Sequence, residues 1–324
     1  MTAAEAPDPI AAPLTYPGAA PDSPAVLVTD AGVLGVRPRA GALGAWRVEL
    51  APGNSKALDE VLGERGAALT GDRAPVLAVG SNAAPTQIRR KLSTAGLTAS
   101  VPVTAVTVDG LSVGVSAHVS KAGYVPATPV PDPLATSQPM WVTWLAPEEL
   151  EAMDKTEPNY DRVQVPGSCA VRLTPVQALS QCWLYVSRHG YLTERSGEPR
   201  KLVGQGDLIS RLLAELPALT DLAGNSPEEW VSRARDQGVR DGIRDLFRAS
   251  GITRSPDRGV WALGVEDLGV GAALLAQDRA DLRDRLGSAR PQPEQDPDAD
   301  GQPHQRQPRG PGEDAGRGRV HRPV

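Results

Sequence analysis

Alternating apolar and polar positions predict that the first half of the chain is rich in β-strands. Short apolar runs at residues 25–29 and 32–36 have the pattern of a hairpin. Residues 46–50 alternate like a further strand, and residues 140–145 form a denser apolar run. Together these segments predict a sheet that buries at least one of its faces.

A second hairpin is predicted around Asp109 and Gly110, which separate residues 103–108 from residues 111–119. An Asp-Gly pair between two such runs is a strong signal for a two-residue turn. In the second run apolar residues alternate with small or polar ones, so we expect a strand with one buried face.

Helical spacing of apolar residues dominates the second half of the chain. In that half helices are predicted at residues 207–216, 227–237, 240–250 and 272–286, with a last strand at 261–263, and shorter helices are predicted earlier, at 55–65 and 147–153. Because strands come first and helices follow, the order predicts an α+β fold with an antiparallel or mixed sheet.

Three segments are predicted to lack regular structure. Residues 1–22 read as a disordered leader rich in Ala and Pro, and residues 289–324 as a disordered tail rich in Pro and Gly. Residues 121–139 contain five prolines and are expected to form an irregular loop, of the kind that often covers a functional site.

Composition narrows the function classes. The chain has 324 residues and a net charge of −5, with 23% charged and 40% hydrophobic residues, as in a soluble globular protein. This charge argues against a nucleic-acid or anionic-membrane partner.

Residues 1–22 lack Lys, Arg and a continuous apolar core, so we expect a cytoplasmic protein. Cys169 and Cys182 have no metal-ligand spacing and are expected to be reduced, although they could face each other across a hairpin.

The segment at residues 76–85 predicts a strand, a tight turn and a helix N-terminus. An apolar run leads into Gly80, Ser81 and Asn82, and Pro85 then opens a helical pattern. Such a turn leaves backbone N–H groups without partners, and these can hold a carboxylate or an oxyanion. An ordinary strand-to-helix turn is the alternative interpretation.

Other motifs are less informative. Gly110, Ser112 and Gly114 match the GxSxG pattern of serine hydrolases, but that motif needs a following helix where a strand is predicted here. His118 and His189 are expected to be surface or packed residues. The basic residues 89–91 are expected to form a solvated helix face.

Glu157 is the carboxylate most suited to acid–base chemistry. It lies beyond a predicted helix, between Thr156 and Pro158, at the entry to an apolar strand. Partial burial at such a point would make it a useful proton acceptor. The alternatives are an exposed loop residue or an ion pair with Arg162.

The two segments together resemble the γ-glutamylcyclotransferase-like family. Residues 77–82 resemble its tyrosine-glycine-serine-asparagine loop, with Val79 in the place of the tyrosine. Residues 150–157 resemble the segment that ends in the family's catalytic glutamate, and Tyr160 and Arg162 also fit the family pattern. An apolar strand that carries a tyrosine, at residues 182–186, follows as in the family. The resemblance covers about residues 75–216.

The resemblance implies a mixed β-barrel or sheet with flanking helices at residues 75–216. Residues 23–74 would then be a β-rich extension packed on this core, and residues 217–288 a helical extension. The implied activity is that of a lyase or acyltransferase without cofactor or metal, which releases 5-oxoproline from a γ-glutamyl amide.

The resemblance also implies roles for individual residues. Glu157 would be the general base, and the backbone of Gly80, Ser81 and Asn82 would hold the γ-glutamyl group. The remaining substrate-binding positions would be Val79, Tyr160 and Arg162. A non-catalytic small-molecule-binding or scaffold protein is the alternative, with a serine hydrolase through Ser112 less favoured. The group attached to the γ-glutamyl moiety and the oligomeric state stay open.

Overall fold

The computed structural model describes residues 7–255 and Trp261. Within this part of the chain there are seven α-helices and fifteen β-strands. The helices are α1 Leu58–Glu64, α2 Pro85–Thr94, α3 Pro147–Thr156, α4 Gln205–Glu215, α5 Ala218–Ala223, α6 Pro227–Arg233 and α7 Gln237–Ala249. The strands are β1 Ala25–Thr29, β2 Gly32–Arg37, β3 Arg47–Ala51, β4 Asn54–Ala57, β5 Ala74–Ala78, β6 Ser100–Asp109, β7 Leu111–Val115, β8 Ala127–Pro131, β9 Gln138–Leu145, β10 Tyr160–Gln164, β11 Ala170–Thr174, β12 Gln177–Ala178, β13 Trp183–Ser187, β14 Tyr191–Leu192 and β15 Thr253–Arg254.

The main sheet is mixed but mostly antiparallel. Its strand order is β10-β13-β5-β9-β6-β1-β2-β3-β4, and β11 joins β6 and β12 beside this path. Among the described strands, only β5 and β13 pair in parallel. The α+β class predicted from the sequence is therefore found, but the described sheet is an open path between β10 and β4 and not a closed barrel.

The two predicted hairpins have different outcomes. The first is confirmed, because β1 and β2 pair antiparallel. The second is wrong, because β6 pairs with β9, β1 and β11, while β7 pairs with β8. Gly110 has a φ of +84° and still provides the sharp turn between β6 and β7. The turn was predicted correctly, but the strand pairing depends on segments distant in sequence.

The Pro-rich segment at residues 121–139 is not irregular throughout. It contains β8, in which Pro129 lies opposite Val113 and Pro131 lies opposite Leu111. The sheet of β7 and β8 has only two strands, so the missing N–H groups of the prolines can face away from the pairing partner.

The predicted helices after residue 205 are present as α4, α6 and α7, and α5 lies between them. Their apolar faces form one core around the fully buried Trp230 and Phe247, which also receives Val125 from the Pro-rich segment. The predicted helix at 272–286 and the disordered tail at 289–324 lie outside the described residues. The predicted strand at 261–263 also lies outside the described residues, except for Trp261, which is helical.

The N-terminal segment differs from the sequence-based expectation. Of the predicted disordered leader at residues 1–22, residues 13–15 form a 3₁₀ turn and Tyr16 is only 5% exposed. Its few apolar side chains find partners on distant elements, which composition alone does not reveal.

The two cysteines do not face each other across a hairpin. Both thiols are free, and β11 and β13, the strands beside them, pair with other strands. No described helix is both long enough and apolar enough to cross a membrane.

Candidate functional site

The strand–turn–helix at residues 76–85 forms as its sequence predicts. Strand β5 ends at Ala78, residues 81–83 make a 3₁₀ turn, and α2 begins at Pro85. Strand β5 lies between β9 and β13 in the sheet, so the turn emerges from the interior of the sheet and not from its edge.

Glu157 faces this turn. Helix α3 extends to Thr156, so Glu157 is its C-terminal cap and not a residue of a free loop. The Asn82 side-chain amide donates to Glu157 Oε1 over 3.1 Å. The residue proposed as base and the residues proposed as binding turn, distant in sequence, are therefore in direct contact.

Lys91 completes a three-membered polar cluster that the sequence analysis missed. Its ammonium donates to Glu157 Oε1 over 2.6 Å and to Asn82 Oδ1 over 2.7 Å. The side chains of Lys91 and Glu157 are only 6% and 15% exposed. The predicted solvated face at residues 89–91 is thus wrong for Lys91, and the ion pair of Glu157 is with Lys91 and not with Arg162.

Helical spacing could have identified Lys91. Ile88, Lys91 and Leu92 stand at positions i, i+3 and i+4 of α2, and all three are buried. A lysine within such an apolar stripe needs a buried partner for its charge. On the same helix, Arg90 forms an ion pair with Asp8, at 3.1 Å from its Nε, and donates to Gln87 over 2.9 Å.

Three tyrosines surround the cluster. The Tyr160 hydroxyl donates to the Ala127 carbonyl over 2.8 Å, and the Ala127 N–H donates to the Tyr16 hydroxyl over 2.9 Å. The ring of Tyr124 stacks on that of Tyr16, with 4.2 Å between the ring centroids.

The three phenols are kept in their neutral form. Burial, with a further contribution from the negative charge of Glu157, raises the pKa of Tyr124 to about 12 and raises the pKa values of Tyr16 and Tyr160 further. They are therefore hydrogen-bonding groups at neutral pH.

The remaining predicted site positions, Arg162 and Val79, make their described contacts with residues other than Glu157. Arg162 pairs with Asp154 through two hydrogen bonds of 2.9 and 3.1 Å and stacks over Trp183. Tyr185 donates to the same Asp154 over 2.7 Å. Val79 packs against the main hydrophobic core.

The GxSxG segment lacks the context of a nucleophilic serine. Ser112 lies in β7 opposite Val130, and the chain continues as a strand through Val115. The helix that this motif requires is therefore missing at this place.

A buried polar cluster lies beside Tyr160. His118 Nδ1 is 2.6 Å from the Ser116 hydroxyl, which is also 2.7 Å from the Ser187 hydroxyl. Burial, with smaller contributions from His189 and Arg244, lowers the pKa of His118 to about 3. His118 is therefore a neutral, packed residue, as the sequence analysis expected.

The arrangement offers a carboxylate, an amide side chain, an ammonium and a turn with backbone N–H groups. Such a set can accept a proton and stabilise an oxyanion. Among the described residues, no group of three or more His, Cys, Asp or Glu side chains is placed to hold a metal ion. Two clefts of about 270 Å³ lie elsewhere, around Arg200 and around Leu216.

No protein-family model matches the chain, and neither does any curated protein. A solved structure described as "Gamma-glutamyl cyclotransferase" is similar over 53% of this chain and 99% of that chain, with 13% sequence identity and a TM-score of 0.28. The resemblance is weak, and at this TM-score it does not support an inference about fold or activity.

Proposed function

We propose that the protein is a cyclotransferase-like enzyme that cleaves a γ-glutamyl amide and releases 5-oxoproline. The contact between Glu157 and Asn82 carries this proposal, because it brings a carboxylate beside a turn with backbone N–H groups. The order of the sequence motifs, which resemble those of the γ-glutamylcyclotransferase-like family, supplies the substrate class.

In the proposed reaction Glu157 removes a proton from the α-ammonium of the substrate. The contacts with Lys91 and Asn82 both use Oε1, so Oε2 is assigned to the substrate. The freed α-amine attacks the γ-carbonyl carbon of the same molecule, and the carbonyl oxygen becomes an oxyanion. As the C–N bond to the attached amine breaks, that amine takes the proton held by Glu157. The attacking nitrogen then gives its extra proton back to Glu157, which passes it to the departing amine, so the products are 5-oxoproline and the protonated amine.

The other residues of the site position the substrate. Backbone N–H groups of Gly80, Ser81 and Asn82 bind the γ-carbonyl oxygen as its charge develops. Tyr160 and Val79 line the adjacent surface. An intramolecular attack of this kind depends mainly on orientation, one base and donors for the oxyanion, which match the groups gathered here.

Arg162 is assigned a role at the substrate's α-carboxylate. Its pairing with Asp154 means that the substrate carboxylate would share the guanidinium with that residue.

The proposal is tested by following 5-oxoproline release from a panel of γ-glutamyl amides. Glu157→Gln keeps the size of the side chain and removes its ability to accept a proton. We expect it to lower kcat by about 10²–10⁴-fold, the range of general-base catalysis. Glu151→Gln is the matched control, because Glu151 is an exposed residue of the preceding helix. Equal turnover by wild type and Glu157→Gln would remove Glu157 from the mechanism.

A second candidate is a non-catalytic small-molecule-binding protein. It is favoured by the ion pair with Lys91, which occupies Glu157 Oε1 and gives this carboxylate a structural role. Stabilisation of the protein by a compound without a γ-glutamyl group, together with no turnover of any γ-glutamyl amide, would support this candidate.

A further inference from the structure

The N-terminal segment is anchored on both sides of the candidate site. Asp8 accepts a hydrogen bond from Gln87 and pairs with Arg90 on α2. Pro13 is buried, and Leu14 packs against the core formed by α4 to α7. Residues 8–18 therefore connect the helix that carries Lys91 to the helical region of the chain.

Between these anchors Tyr16 directs its hydroxyl towards the turn. The hydroxyl oxygen accepts the Ala127 N–H over 2.9 Å. A Cβ atom built on Gly80 would overlap this hydroxyl. The absence of a side chain at Gly80 therefore provides space for Tyr16, since the φ of Gly80, −139°, is one that any residue can adopt.

This position determines what the hydroxyl can do. Its oxygen already accepts the Ala127 N–H, so its own hydrogen is the group left to donate. Donors that receive hydrogen bonds are polarised by them and become stronger donors. A neutral O–H beside residues 80–82 is thus suited to an oxygen atom of a ligand at that turn.

We infer that Tyr16 is a substrate-binding residue whose hydroxyl donates to the γ-carbonyl oxygen, and that residues 8–18 form a permanent wall of the site. This inference rests on the proposed function. The anchors at Asp8, Pro13 and Leu14 favour a fixed wall over a segment that blocks the site and withdraws. The site would then need a residue that lies far outside the segment of family resemblance.

The test compares wild type, Tyr16→Phe and the control Tyr191→Phe. Tyr191 is a half-buried tyrosine of β14. Kinetics of 5-oxoproline release and thermal stabilisation by added 5-oxoproline are measured for each protein. We expect Tyr16→Phe to lower kcat by about 10–100-fold, a smaller loss than that of a complete oxyanion donor set, and to change KM by less than about threefold. Tyr191→Phe is expected to match wild type.

Unchanged kcat for Tyr16→Phe overturns the inference, and so does higher turnover after deletion of residues 1–18, which would identify the segment as a plug. Wild type could release no 5-oxoproline and still be stabilised by it, with the stabilisation lost in Tyr16→Phe. That result refutes the cyclotransferase proposal and leaves Tyr16 as a ligand-binding residue. Neither turnover nor stabilisation in wild type refutes both.

Discussion

The Lys91–Glu157 pair gives a quantitative test of the site's electrostatics. Lys91→Met keeps the length of the apolar stem and removes the ammonium, which leaves the Glu157 carboxylate 15% exposed and bonded only to Asn82 among its described partners. Breaking a buried ion pair from one side costs about 3–5 kcal/mol, because the remaining charge is left uncompensated. Since Glu157 keeps some contact with solvent, we expect a loss near the lower end, about 3 kcal/mol in the free energy of unfolding.

Equilibrium urea unfolding at neutral pH measures this loss as a lower midpoint with an unchanged m-value. The double variant Lys91→Met/Glu157→Gln removes the stranded charge, so it should recover at least about half of the lost stability. Lys155→Met is the matched control. Lys155 pairs with Glu151 at a similar distance, 2.7 Å, but with side chains that are 72% and 69% exposed. Its midpoint should not change, because exposed pairs contribute little.

Two results would contradict this reasoning. If Lys91→Met has the midpoint of wild type, the ion pair does not form in solution. If the double variant is no more stable than Lys91→Met, the loss arises from packing of the lysine stem and not from the unpaired carboxylate.

Three further predictions concern neighbouring features. Folding lowers the pKa of His118 from 6.5 to about 3, so between these pH values the histidine takes up a proton only when the protein unfolds. The free energy of unfolding should therefore fall by about 1.4 kcal/mol per pH unit as pH decreases from 6.5 to 3. His118→Gln should flatten this slope in urea titrations, and an unchanged slope would exclude the histidine as its source. Gly80→Ala should destabilise the protein by about 1–3 kcal/mol in thermal or urea unfolding, because its Cβ would overlap the Tyr16 hydroxyl. The loss should be smaller in a Tyr16→Phe background, which lacks that oxygen, and an equal loss in both backgrounds would place the clash elsewhere. In the native protein, Cys169 should react with a thiol reagent well before Cys182, because Cys182 is buried and burial raises its pKa to about 12. Peptide mapping measures the order of labelling, and Cys182 labelled first would contradict its burial.

Local sequence signals predicted the parts of the fold that depend on local interactions. Alternation located β1 and β2 and their turn. Helical spacing located α4 and α7, and the Gly-Ser-Asn turn was recognised from its own residues. These features need only neighbours in sequence, so single-sequence patterns are sufficient for them.

The predictions that were wrong concern strands whose pairing partners lie far away in sequence. Asp109 and Gly110 do make a turn, but β7 gains its hydrogen bonds from β8 and not from β6. Prolines at 129 and 131 argued against a strand, yet the two-stranded sheet accepts them. Propensity describes a residue's own preference, whereas strand partners are selected by the burial of the whole sheet.

The candidate site also combines residues that local sequence signals can identify with one that they cannot. Glu157 and Asn82 were predicted from motifs, and the structure places them in contact. Lys91 could have been found from its place in an apolar stripe. Tyr16 could not, because a single tyrosine in an Ala- and Pro-rich segment gives no local sign of its partners.

The peptide group of Ala127 links the site to the order in which the chain can fold. Its N–H binds Tyr16, which is 111 residues away, and its carbonyl binds Tyr160, which is 33 residues away. Closing loops of such length costs chain entropy before any contact compensates for it, so contacts of high sequence separation tend to form late. Hairpins such as β1–β2 can form from local contacts, whereas the two hydrogen bonds of Ala127 beside the candidate site need both Tyr16 and Tyr160 in place. During synthesis, this site would therefore mature only after α3 and the start of β10 have left the ribosome.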